Sequence, residues 1–137
     1  MENIKAFFLN DRFAVHAGIE LLEVSPGWAM AKLEINESHL NAGNVIQGGA
    51  LFTLADLTFA AAVNAYGNLA VSVESSIRYF KGVSEGTLFA VAEPVHLHKK
   101  LATFEVKITN RKEELIALFT ATAYRKDIRL PFDTETV

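Results

Sequence analysis

The stretch Ile46-Gln47-Gly48-Gly49-Ala50-Leu51-Phe52-Thr53-Leu54-Ala55-Asp56 sets two glycines at the start of an apolar run and a carboxylate two turns further on. Asp56 is the only formally charged side chain between His39 and Glu74. Among apolar neighbours a carboxylate is costly unless it is paired or put to use. Its pKa should rise there, making Asp56 a stronger base than a solvated aspartate while it stays largely ionised at neutral pH. The glycines offer the complementary half of a reaction. A helix opening at Gly48 presents unpaired N–H groups and the positive end of its dipole, and a residue without Cβ lets a substrate come close to the backbone. Such donors suit an oxyanion. Gly48 and Asp56 are eight residues apart, about 12 Å along a helix axis, so one helix cannot bring both to one carbonyl. Two antiparallel helices related by a twofold can.

Each group also has a purely structural reading. Asp56 could be satisfied by the Thr53 hydroxyl or by a basic group from another strand, and Gly48-Gly49 could be a tight helix entry. Asn41, in a polar loop, and Ser72, on a strand, are equally compatible with turn chemistry and with a polar face.

The elements that must position these residues follow from periodicity. Glu2 to Asn10 places Ile4, Phe7 and Phe8 at helical spacing. Strands are expected over Glu20 to Val24 and Trp28 to Ile35, joined by the Ser25-Pro26-Gly27 turn. After the polar stretch Asn36 to Asn44, a helix runs from Gly48-Gly49 to near Tyr66-Gly67, where glycine suits the left-handed cap. The period then becomes two: Leu69, Val71, Val73, Ser75, Ile77 and Tyr79 are expected on one face, with Ser72, Glu74, Ser76 and Arg78 on the other. Further strands are expected over Thr87 to His98, Leu101 to Asn110 and Leu115 to Lys126, and the tail beyond Leu130 should be frayed.

One nearly all-apolar helix among about six strands has to bury its whole circumference, which a single sheet achieves by curling around it. Such a sheet leaves open edges, and pairing with a second copy is the expected way to manage them. A chain of 137 residues with a 50% hydrophobic fraction suits one domain, 1–137, without a linker. The net charge of −3 gives no general attraction to nucleic acid or anionic membrane. The absence of cysteine excludes thiol catalysis and disulfide frameworks. Val45 to Ala65 is interrupted by Gln47, Asp56 and Asn64, so it reads as a core helix, and the start MENIKAFFLNDRF reads as neither signal peptide nor anchor. A cytoplasmic location is the default expectation. The four histidines lack metal-site spacing, and no metal is expected.

The pattern of Asn41, Gln47-Gly48-Gly49 six positions on, Leu54-Ala55-Asp56, Phe59-Ala60 and Val71-Ser72-Val73 resembles the hotdog-fold thioesterases of the PaaI type, over about Val15 to Tyr124. Those enzymes carry an asparagine, an H-G-G opening the central helix, and an acidic residue nine positions after the histidine. The resemblance implies an α+β hotdog fold with one long central helix wrapped by a curved antiparallel sheet. It implies hydrolysis of acyl-coenzyme A thioesters by homodimers or dimers of dimers whose sites are shared between subunits, with no cofactor beyond the coenzyme A of the substrate. By the same resemblance Asp56 is the general base or nucleophile, Gly48 offers its N–H to the thioester carbonyl, Asn41 supports that orientation, and Ser72 holds the attacking water.

Two departures stand out. Gln47 occupies the histidine position and carries no proton, and Gly43-Asn44 shift the usual loop glycine, although asparagine tolerates the left-handed conformation. With Gly49 beside the helix opening, the basic residues Arg78, Lys81, His98, Lys99 and Lys100 are candidates to bind substrate, the phosphates of coenzyme A in particular. A solvated face explains each basic residue taken singly. Two other functions are compatible with the pattern: a non-catalytic acyl-coenzyme A binding module, encouraged by Gln47, and an acyl-thioester dehydratase or hydratase, which would use a histidine.

Overall fold

The computed structural model describes residues 2–132. Two short helices, α1 (Glu2–Phe8) and α2 (Arg12–His16), precede the strands β1 (Ile19–Ser25) and β2 (Trp28–Glu34). A single 3-10 turn (Glu37–His39) and a loop lead into the long helix α3 (Gly48–Asn64). Four strands complete the chain: β3 (Asn68–Tyr79), β4 (Thr87–Leu97), β5 (Leu101–Thr109) and β6 (Leu115–Arg129).

All six strands form one antiparallel sheet in the order β1-β2-β4-β5-β6-β3. The sequence-local pairs arise as the turn signals imply. The crossovers do not follow from local signals: β2 closes on β4, and β3 is carried past the sheet to pair with β6. Strand alternation puts small residues under the helix, with Ala29 and Ala31 from β2, Ala90 and Ala92 from β4, and Ala121 and Ala123 from β6 all fully or almost fully buried. Small side chains there let α3 approach the concave face closely, and large ones lock it in place. Phe59 of α3 meets the rings of Phe104 and Phe119 at 5.7 and 6.1 Å, and Phe52 meets Phe119 edge-on at 5.3 Å. Burying each such ring contributes about 2–3 kcal/mol. No helix among the described residues is long and apolar enough to cross a membrane.

The structure corrects the expected picture in four places. The circumference of α3 is not wholly buried. Leu51, Leu54, Ala55, Leu57, Thr58 and Phe59 are in the core, whereas Gly49 is exposed and Thr53, Asp56 and Ala60 are half-buried. Those four positions recur at spacings of four, three and four, so they form one stripe. The sheet covers one side of the helix, and α1 and α2 cover only part of the other.

The alternation expected of β3 also fails, because its register against β6 shifts between Asn68 and Ala70 and again between Ser72 and Glu74. Ala70 points inward, while Val71 and Val73 are 37% and 59% exposed. An irregular strand at the sheet's edge has one neighbour to hold its register and tolerates such bulges.

Helix α2 was not anticipated. Asp11 caps it by accepting from the Ala14 N–H at 3.1 Å, and Ala14 is its one buried residue, so the apolar periodicity that reveals helices is missing. Finally, Phe132 is buried and packs against Phe7 at 5.6 Å, so the chain just beyond Leu130 is anchored; the remainder of the tail expected to be frayed, 133–137, lies outside the described residues.

Candidate active site

The loop before α3 is held by its own side chains. Asn41 Oδ1 accepts from the N–H groups of Gly43 (2.9 Å) and Val45 (3.2 Å), the Asn41 N–H donates to the Val45 carbonyl (2.8 Å), and Ile46 N–H donates to Val83 (2.7 Å). The left-handed position falls on Asn44, at φ +61°, and not on Gly43. Asparagine adopts this conformation at low cost, and the Ser84 hydroxyl holds its carbonyl at 2.6 Å. The displaced glycine is thereby accommodated.

Helix α3 then opens with Gln47 as its N-cap. The Gln47 side-chain oxygen accepts from Gly49 N–H, its own N–H donates to the His39 carbonyl (2.8 Å), and its carbonyl receives Ala50 N–H (2.9 Å). A cap of this kind satisfies one of the orphan donors of a helix start. His39 is structural: its Nδ1 accepts from Asn36 N–H at 2.9 Å, and its Nε2 donates to the Ala17 carbonyl at 2.6 Å. The Gly48 N–H has no partner among the described residues. It borders a cleft of about 370 Å3 lined by Asn41, Val45, Leu51, Tyr79 and Lys81.

Asp56 stands two turns along α3 on its open stripe. No hydrogen-bond donor or cation reaches it among the described residues, and its pKa is raised, first by burial and second by the negative charge of Asp11. The Thr53 hydroxyl, offered by the sequence as a structural partner, donates instead to the Gly49 carbonyl at 2.7 Å. Ahead of Asp56 on the same side, Gln47, Gly49, Thr53 and Phe52 border a cleft of about 560 Å3 whose far wall is Phe13 and His16.

Of the remaining candidates, the structure brings only Lys81 to the Gly48 cleft, and its ammonium is paired with Glu114 at 2.6 Å. The hydrogen bonds from Lys81 and Asn110 hold that carboxylate's pKa below its ordinary range. Ser72 is exposed on the edge strand, where its hydroxyl meets Ser75 at 3.0 Å. Arg78 borders a small cleft with Ser76, Leu118 and Thr120. His98, Lys99 and Lys100 form the β4–β5 turn at the opposite end of the sheet, fastened by Arg125, whose guanidinium donates to the His98 carbonyl (2.8 Å) and lies over the Tyr66 ring (4.9 Å) just past the end of α3. Within one chain they are a helix length from Gly48, about 25 Å. One neighbour of Gly48 escaped the sequence reading. Tyr79, from β3, donates its hydroxyl to the Gly48 carbonyl at 3.1 Å. It lies 31 residues away, and only the strand crossover brings it there.

A carboxylate with a raised pKa and a helix N-terminal amide without a partner among the described residues, on one helix with an open side, are groups that acyl transfer can use. Known proteins point the same way. The family model described as the thioesterase superfamily matches residues 43–117. A "putative esterase" of Archaeoglobus fulgidus is 39% identical over 133 residues, spanning 96% of this chain and 86% of that protein. The acyl-coenzyme A thioesterase PaaI of Escherichia coli is 31% identical over 125 residues, 90% of this chain and 89% of that one. The solved structure of the latter protein superposes with a TM-score of 0.88 over 93% of this chain and 94% of that one, at 29% identity. The structure of a hypothetical thioesterase of Streptococcus pneumoniae with coenzyme A gives 0.82 over 90% and 99%, at 27% identity. With one family's model matching the helix, the edge strand and the next two strands, and with PaaI alike in both sequence and fold, this chain belongs to the thioesterase superfamily as a hotdog-fold thioester hydrolase of the PaaI type.

Proposed function

We propose that the protein hydrolyses acyl-coenzyme A thioesters to a free acid and coenzyme A. The observation that carries this reading is Asp56, a half-buried carboxylate on the open side of α3 with neither donor nor cation to neutralise it among the described residues. A group so placed is costly for folding and useful as a base. In the proposed reaction the thioester carbonyl accepts from the Gly48 N–H. Asp56 then takes a proton from water as the water oxygen bonds to the carbonyl carbon, the C–S bond breaks, and the departing thiolate takes up the proton. Direct attack by Asp56, which expels the thiolate to give an anhydride that one water then opens, supplying the thiolate's proton, uses the same groups. Either course proceeds with a carboxylate, an amide donor and water, so no metal or redox cofactor enters the proposal.

Because Gly48 and Asp56 are about 12 Å apart along one helix, the site we propose is shared by two copies, with Gly48 of one facing Asp56 of the other. The open stripe of α3 and the exposed edge of β3, with Val71 and Val73, support a homodimer, itself free to pair into a dimer of dimers. Ser72 is then the candidate to hold the water, and Asn41 keeps the entry loop in shape. The likeness to a thioesterase structure with coenzyme A supports the thiol half of the substrate. Phe13 and Phe52, on the 560 Å3 cleft beside Gln47, support a medium-sized or aromatic acyl half. His98, Lys99 and Lys100 are candidates for the phosphates, a role they could serve across subunits. The whole chain 1–137 is proposed to act as one cytoplasmic domain.

The test is free thiol released from acetyl-, octanoyl-, palmitoyl- and benzoyl-coenzyme A by the native protein and by Asp56→Asn. Release that depends on Asp56 is the expected result. Tight binding of these thioesters without release would replace the hydrolase by a binding module.

A further inference from the structure

We propose that Tyr79 is a positioning residue for the oxyanion-binding amide, acting through its hydroxyl on the Gly48 carbonyl; this inference rests on the thioester-hydrolysis reading above. Two glycines in succession are the least constrained way to begin a helix, since each has more backbone freedom than any other residue. An oxyanion donor needs the opposite: it stabilises developing charge only if its direction is fixed before the reaction. The structure supplies the missing constraint from outside the helix.

Three side chains converge on the two glycines. Gln47 accepts from the Gly49 N–H, Thr53 donates to the Gly49 carbonyl at 2.7 Å, and Tyr79 donates to the Gly48 carbonyl at 3.1 Å. Gln47 and Thr53 belong to α3 and its cap, so they move with the helix. Tyr79 alone comes from the sheet, where its strand is paired to β6 through Ala117, and it ties residue 48 to a separate frame. The Gly48 N–H shares its peptide plane with the Gln47 carbonyl, which receives the Ala50 N–H at 2.9 Å. Holding the following plane at the Gly48 carbonyl limits both torsions at the Gly48 Cα, and with them the direction of that N–H, the one backbone donor at this turn without a partner among the described residues. Steric fit agrees with this assignment. A Cβ placed on Gly48 would lie 2.9 Å from the Tyr79 hydroxyl oxygen and 3.0 Å from the ring carbon that bears it. A side chain at 48 would therefore push the tyrosine hydroxyl aside and break its contact with the carbonyl.

The experiment compares native protein, Tyr79→Phe and Tyr79→Leu on whichever thioester of the panel is turned over fastest, with amide hydrogen exchange of Gly49, whose N–H shares the peptide plane held by Tyr79, followed by NMR. Removing only the hydroxyl should lower kcat about tenfold, because a small misalignment of a preorganised group is expensive in rate. KM should change by less than about twofold and the pH midpoint set by Asp56 should not move, while the Gly49 amide exchanges faster. Native kcat in Tyr79→Phe, or loss confined to Tyr79→Leu, would assign the residue to packing and overturn the proposal. So would unchanged exchange at Gly49. If the native protein hydrolyses none of the thioesters, the hydrolysis reading fails and this role falls with it.

Discussion

The two ends of α3 are built from similar parts and finished differently. At the C-terminal end, Asn64 is buried and all of its capacity is spent locally. Its side chain donates to the carbonyls of Ala60 (2.8 Å) and Ala70 (3.4 Å) and accepts from the Ala70 N–H (2.9 Å), while its carbonyl receives the Gly67 N–H (2.9 Å). Gly67, at φ +102°, turns the chain into β3, and its carbonyl receives Leu130 N–H at 2.8 Å. At the N-terminal end, Gln47, Thr53 and Tyr79 spend equal effort on Gly48 and Gly49, yet one donor is left over. A fold closes the hydrogen-bond account wherever only architecture is at stake. The end that leaves a backbone group open, inside an otherwise rigid frame, is the one equipped to receive a ligand.

This contrast can be broken by experiment. The largest effect is expected between the two ends: Asp56→Asn should reduce kcat at least about 100-fold, the usual scale for loss of a positioned base, measured as thiol release under saturating thioester. Asn64→Ala should be expensive in a different currency. It leaves the Ala70 N–H buried without its acceptor, so stability to denaturant should fall by about 2 kcal/mol, while kcat per folded molecule stays within about twofold of native. A large kcat loss there would end the distinction between scaffold and site.

Gln47→Ala should show a smaller, mixed effect. Loss of the cap should lower stability by about 1 kcal/mol, and the freed Gly49 amide should lower kcat severalfold. The subtlest effect concerns pH. The folded-state pKa of Asp56 is raised, chiefly by burial and further by Asp11, so folding favours its protonated form. The stability it contributes is present below its unfolded pKa and is lost as pH rises through the folded value. Thermal melts of Asp56→Asn should therefore lie above native at pH 7 and converge with it in acid. The rate of the native enzyme should rise with pH through a limb above the ordinary aspartate range. With Gln47 at the helix start, no histidine limb should accompany it.

How much of this was readable in the chain depends on distance along it. Helix α3, its glycine opening, and the strand pairs joined by Ser25-Pro26-Gly27 and by the Arg111 to Glu114 turn all follow from neighbouring residues, and these the sequence expresses; so does the apolar setting that raises the pKa of Asp56, but not the contribution of Asp11. The left-handed residue in the entry loop was legible for the same reason, through the short polar side chain of Asn44. What could not be read was any outcome of long-range placement. Nothing local marks β3 as an edge strand, so the even alternation from Leu69 to Tyr79 predicted a buried face where bulges expose Val71 and Val73. The Lys81–Glu114 pair and the reach of Tyr79 to Gly48 depend on the same crossover. Helix α2 was missed for a different reason: its one signal, Asp11 ahead of a short run, carries little weight without an apolar face.

The order of the strands also bears on how the chain is made. β3 follows α3 directly, but its hydrogen-bonded neighbour among the described residues is β6, beginning at Leu115. During synthesis, β3 must wait as an unpaired ribbon while three further strands emerge, and residues 80–114, about a quarter of the chain, separate it from the partner that ends the wait. Contacts closed over so long a loop come late and slow folding. Tyr79 lies on that ribbon. The clamp on Gly48 is therefore completed only after the last strand has docked, and a ribosome-bound chain that has yet to release β6 carries its helix and its aspartate without a working site.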